Sequence, residues 1–229
     1  MTSFFVIIHM DTFLILLDVY CTVCSSYRPY FKEAYPSSSN EFALLNAFIM
    51  SVVGGGSGIL GGYIADRLGA WINEAKASSS SSMISDTFDE QTIRLMLPIV
   101  GSLLAIPTWY CTINNTGTFE YAMIWLSIEY LVAECWFGPV IAVLQSTVGT
   151  EKTGTAQGMF VLTGALANVA PTLLGYLYGS MTTGTSNARE AQVLGNLLTY
   201  GVILGYLLSA IFFVMSVRAS DTTNKFKNI

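Results

Sequence analysis

Six apolar runs, each long enough at roughly 20 residues to cross a bilayer, constrain this chain more than any motif it contains. They lie near Phe4–Cys24, Phe42–Ile64, Leu95–Thr112, Tyr121–Leu144, Met159–Tyr178 and Val193–Val217. A segment surrounded by hydrocarbon has no water to bond its backbone, so runs of this kind are helices whose amides and carbonyls pair internally. Only 11% of the residues are charged, against about 25% in an ordinary soluble domain. Mean hydropathy is correspondingly high, at +0.55. The first run is not read as a signal peptide: it lacks a basic leader, and His9, Asp11 and Asp18 interrupt it. The expected fold class is an all-α membrane protein, with residues 1–229 forming a single bundle of six transmembrane helices.

Basic residues orient the bundle, because Lys and Arg concentrate in cytoplasmic loops. With a cytoplasmic N-terminus, the inner segments hold Arg67, Lys76, Arg94, Lys152, Arg218, Lys225 and Lys227, and the outer ones hold Arg28, Lys32 and Arg189. Asn114-Asn115-Thr116 is an N-glycosylation triplet, and Asn114 falls in a loop that this orientation places outside. Residues 70–92 carry a serine run followed by Asp86, Asp89 and Glu90, and read as a flexible cytoplasmic connection.

Several function classes are set aside. A formal charge of -5 without a basic cluster argues against a nucleic-acid partner. Cys21 and Cys24 have the spacing of a redox or metal pair, but no second pair or histidine cluster accompanies them, so neither a metal nor a cofactor is expected. Gly55-Gly56-Ser57-Gly58 is similar to the nucleophile motif of rhomboid proteases. A serine nucleophile needs a base within hydrogen-bond reach, and the one histidine, His9, precedes the serine rather than following it. The protease is therefore the remote alternative, and the expectation is a protein that is not an enzyme.

Gly54, Gly58 and Gly62 recur every four residues and strip one helix face of side chains, which lets a second helix approach to backbone contact. Gly154 and Gly158 form a shorter face of the same kind. The first stripe runs into Gly62-Tyr63-Ile64-Ala65-Asp66-Arg67-Leu68-Gly69, which resembles the signature loop after the second helix of each half of a major facilitator transporter. That resemblance implies a gate motif at Gly62, Asp66, Arg67 and Gly69. It also implies that the six helices form two inverted three-helix repeats.

Acids within apolar runs are costly unless they face water or a partner. Asp11 and Asp18 lie seven residues apart and share one helix face, whereas Glu129 and Glu134, five apart, diverge by roughly 140°. At a rise of about 1.5 Å per residue, Asp18 and Glu134 both fall near the membrane midplane, with Gln145 lower on the face of Glu134. The segment Cys135-Trp136-Phe137-Gly138-Pro139 through Gln145, followed by Gly154-Thr155-Ala156-Gln157-Gly158, resembles the tenth and eleventh helices of spinster-type transporters. The chain then aligns as the C-terminal six-helix half of such a transporter. The implied pathway for substrate or protons runs along Asp11, Asp18, Glu134, Trp136 and Gln145.

Taken with that resemblance, the expected function is secondary transport of a small, amphipathic or lipid-like solute, with protons as candidate coupling ions. The expected location is the plasma or endolysosomal membrane. Alternating access needs two bundles, and the acid of this signature loop faces the other half in the family. The expectation is therefore a fragment of a longer product, or a chain that pairs with a missing N-terminal half or a second copy. The alternative is a membrane subunit or remnant that does not transport.

Overall fold

The computed structural model describes residues 27–78, 90–114, 117–148, 151–167, 169–182 and 187–227. The first expected span, with His9, Asp11, Asp18, Cys21 and Cys24, lies outside the described residues, as do 79–89 of the Ser-rich connection. Every described element is helical: α1 (Tyr27–Ala34), α2 (Ser39–Phe48), α3 (Gly55–Ser78), α4 (Glu90–Ile113), α5 (Phe119–Ala133), α6 (Phe137–Val148), α7 (Thr153–Ala167), α8 (Val169–Thr182) and α9 (Asn187–Lys227). Among the described residues, four stretches are long and apolar enough to cross a membrane: Pro36–Glu74, Thr92–Ile113, Phe119–Ser146 and Gln192–Arg218. These contain the expected second, third, fourth and sixth spans. The expected fifth, Met159–Tyr178, is covered by α7 and α8.

The second span departs from the sequence reading in length. A turn begun by Pro36 leads into α2, a π-helical segment at Ile49–Gly54 and then α3, so the helical path runs without a break from Pro36 to Ser78. The helical stretch from Pro36 to Glu74 covers 39 residues, or roughly 58 Å at 1.5 Å per residue, about twice the thickness of a hydrocarbon core. The helix continues past Ala70, where the connection was expected to begin, because Ala70 to Ala77 offers Ala, Glu and Lys and no proline or glycine to stop it.

The described spans alternate in direction, which can be read from what meets at their ends. At one end, the Tyr30 hydroxyl of α1 donates to the Ile113 carbonyl at 2.7 Å, satisfying one of the last carbonyls of α4. Tyr35 meets Phe119 at the start of α5 with ring centroids 5.6 Å apart, and the Tyr178 hydroxyl of α8 lies 3.5 Å from the Glu33 carboxylate. At the opposite end, Asp66 of α3 meets Arg94 of α4. Between the ends, α4 packs against α9, α5, α3 and α6. Trp109, Leu126, Leu198, Tyr206 and Phe213 fill the interior and are almost wholly buried.

Candidate functional site

The site is built where α3 crosses the start of α6, and glycine makes the crossing possible. A Cβ at Gly138 would stand 2.7 Å from the Gly58 carbonyl oxygen and 2.8 Å from the Gly62 nitrogen. At Gly61 it would collide with the Cys135 carbonyl. The glycine stripe thus does bring two backbones together, and Gly61, outside the four-residue repeat, is its most crowded member. Pro139 has no N–H to offer the carbonyl four residues before it, that of Cys135. The Gly61 Cα–H directed at that oxygen supplies a weak donor, of a kind common where helices touch. Gly101 of α4 closes on the same turn from another side, with a Cβ position 2.8 Å from both Cys135 Sγ and the Val132 carbonyl oxygen.

Both crossing helices are irregular here. The Gly55 N–H reaches the Met50 carbonyl five residues back, and a 3-10 turn at Glu134–Trp136 separates α5 from α6. Helical irregularities of the π kind are frequent at functional sites. Beside the crossing lies an open cleft of about 590 Å3, lined by Met50, Gly54, Gly58, Tyr130, Glu134 and Phe137 with their glycine neighbours. Its lining is mostly apolar, and Glu134 and Tyr130 are the lining residues with polar side chains. The Ser57 hydroxyl, behind the stripe and 1% exposed, donates to the Tyr130 carbonyl at 3.3 Å. Ser57 therefore ties two helices together and is not among the residues that line the cleft.

The structure separates the two acids of the fourth span. Glu129 is 2% exposed and accepts a hydrogen bond from the Tyr206 hydroxyl of α9, while Glu134 lines the cleft. Trp136 and Gln145 are not among the cleft's lining residues. Trp136 packs on Phe137 and on Phe160 of α7, with ring centroids 5.6 and 6.4 Å away. Gln145 is exposed on α6. Counting eleven residues from Glu134 assumes an unbroken α-helix, and the 3-10 turn alters that phase.

Of the signature-loop residues, Gly62 sits in the crossing and Asp66 Oδ1 accepts from Arg94 Nη1 at 2.8 Å. Arg67 stays on its own helix, donating from Nε to the Tyr63 hydroxyl at 3.0 Å. Gly69 is buried, yet nothing lies within 4 Å of its Cβ position. Asn114 is exposed just beyond α4, its side-chain amide donating to the Tyr110 carbonyl. Arg94 was legible only as a cytoplasmic cation. The missed signal was an acid and a base on the two sides of one loop. The Asp66 side chain is 62% exposed, so the pair is worth about 0–1 kcal/mol. Asp66→Arg should lower the thermal midpoint slightly through like-charge contact with Arg94, and adding Arg94→Asp should restore it. A midpoint that the second change fails to recover would show that the two side chains do not meet.

The fold has a counterpart among solved structures. The chain is similar, over 96% of its length and with a TM-score of 0.60 at 15% identity, to a bacterial homolog of the human lysosomal transporter Spinster, captured inward-facing and unoccupied. The chain has a spinster-like fold. It spans about half of that structure, 47% of the neighbour's chain. No protein-family model matches the sequence, and no curated protein matches it. The spinster-like fold and the apolar helices make this an integral membrane protein. Among the described residues, nothing stands within 4 Å of the Cβ position of Gly154 or Gly158, where a small-residue face was expected. Met159, Val161 and Leu162 beside it are exposed as well.

Proposed function

We propose that this chain is one six-helix half of a major-facilitator-type secondary transporter that carries a small, amphipathic or lipid-like solute. The observation that carries the reading is the fold likeness over 96% of the chain to a transporter homolog. In this reading the cleft at the α3–α6 crossing belongs to the pathway. Its apolar wall suits an acyl chain or ring, and Glu134 supplies, among the described lining residues, the carboxylate that a proton or a cationic group would meet. Asp11 and Asp18 of the first expected span extend the same pathway, and Asp66 with Arg94 closes its cytoplasmic end. A second six-helix bundle, from a longer polypeptide or from a second copy, completes the alternating-access unit.

Flux tests this directly. The chain, alone and co-expressed with the six-helix N-terminal half of a spinster-type transporter, is reconstituted into vesicles, and movement of a fluorescent lysophospholipid is followed with and without a pH gradient. Gradient-dependent flux that Glu134→Gln makes insensitive to the gradient is the expected result. Correctly inserted protein that moves the probe under neither condition would favour the alternative, a subunit that does not transport. Gradient dependence unchanged in Glu134→Gln would leave that carboxyl a structural group.

A further inference from the structure

A second cavity, at the opposite end of the molecule from the Asp66–Arg94 pair, has a different chemistry from the cleft. It is a groove of about 710 Å3 between α1 and α2, lined by Arg28, Pro29, Lys32 and Glu33 on one side and Ser39, Asn40, Phe42 and Ala43 on the other. Arg28 and Lys32 are four residues apart, which places both cations on one face of α1. Opposite them stand the Ser39 hydroxyl and the Asn40 amide, both able to donate, and the floor is apolar.

The groove is held in shape by aromatic packing beneath it. Phe31 stacks on Phe42 with ring centroids 4.8 Å apart and on Tyr35 at 5.9 Å, while Tyr30 is fastened to the end of α4. The two cations are thus carried on a short helix locked to the bundle. Among the described residues, Arg28 and Lys32 form no ion pair with an acid; Glu33, which also lines the groove, has its carboxylate 3.5 Å from the Tyr178 hydroxyl. The placement of the charges is itself informative. Of the basic residues, only Arg28, Lys32 and Arg189 fall in segments expected on the outer side, where Lys and Arg are disfavoured. Two of those three line this one groove.

We propose that the α1–α2 groove is a binding site for a phosphate-class anionic group, gripped by Arg28 and Lys32, with Ser39 and Asn40 as further donors. Arg28 offers a planar fork that matches two phosphate oxygens, and Lys32 a compact charge beside it. Pro29, Phe42 and Ala43 give an apolar edge on which the stem of an amphiphile can rest. The phosphate can come from the headgroup of a single-chain lipid or from a free phosphate ester. The site is separate from the cleft and stands whether or not the chain moves a solute.

Binding to the full chain in a neutral detergent tests it, with three probes: lysophosphatidic acid, glycerol phosphate and lysophosphatidylcholine, which bears no net charge. Arg28→Gln with Lys32→Gln should weaken binding of the anionic probe about tenfold or more, and added salt should weaken it in the parent chain. Both side chains are exposed, so the thermal midpoint should stay unchanged and serve as the control for folding. Equal binding of lysophosphatidic acid and glycerol phosphate identifies a free phosphate as sufficient; binding of the lipid alone identifies a headgroup. Either supports the site. Affinity for lysophosphatidic acid that survives the double substitution, or that equals the affinity for lysophosphatidylcholine, overturns it. Because the readout is binding and not flux, its failure is distinct from a failure of transport.

Discussion

Gly61→Val should leave little folded protein. The position a Cβ would take at Gly61 is already occupied by the Cys135 backbone carbonyl, and a backbone cannot rotate aside as a side chain does. Overpacking a well-filled interior costs about 1–3 kcal/mol when side chains can yield, so an obstacle made of backbone places this substitution at or above the upper end. The carbonyl also lies four residues before Pro139, so forcing the helices apart removes its weak Cα–H donor in a setting without water. Gly56→Ala is the matched control, because nothing stands within 4 Å of its Cβ position. In a helix that change should stabilise by about 0.5–1 kcal/mol through the lost freedom of the unfolded chain. Thermal melts of the detergent-solubilised proteins separate the two. A Gly61→Val protein as stable as its parent would mean that the backbones do not touch there.

Comparison of this crossing with the sequence shows which kind of information is local. The repeat of Gly54, Gly58 and Gly62 announces a face that lets some helix come close, since small residues at that spacing admit a second backbone. It does not say which helix. The counter-surface is Gly138 with the Cys135 carbonyl, some 75 residues downstream, and no local period encodes so distant a pairing. The same division appears in the spans. Hydropathy places the third within a few residues of Thr92–Ile113 and the sixth within a few of Gln192–Arg218, because burial in lipid acts on each residue independently. It understates the second, whose helix is prolonged at both ends by turn and propensity signals that carry no hydropathy.

Phase is the subtler loss. Glu134 and Gln145 share a face only while the helix keeps 3.6 residues per turn, and the 3-10 turn at Glu134–Trp136 intervenes. The diverging faces of Glu129 and Glu134 hold up better, because Glu129 to Ala133 is regular helix and the turn begins only at Glu134. What the spacing lacks is the partner that decides which acid turns inward. Tyr206 is one of several tyrosines in the chain, and its place on the sixth span gives no sign that it faces the fourth.

That partner sets the second large effect expected, on Tyr206→Phe. The Tyr206 hydroxyl donates to the Glu129 carboxyl in a fully enclosed contact between α9 and α5. Interhelical hydrogen bonds in membrane proteins average about 0.6 kcal/mol and reach about 1.7. A buried carboxyl that loses a donor belongs at the upper end, since no water replaces it. Tyr206→Phe should therefore destabilise by about 1–2 kcal/mol, more than loss of the exposed Asp66–Arg94 pair. Glu129→Gln should be milder, because the amide oxygen still accepts from Tyr206. A cycle of Tyr206→Phe and Glu129→Leu, read by chemical denaturation in micelles, should show coupling: the double variant loses less than the sum of the singles. Strict additivity would mean that the two groups do not depend on one another. Coupling would mean that Glu129 is committed to holding the fourth span against the sixth, so that Glu134, turned to the cleft, is the carboxyl of this span left to meet a solute.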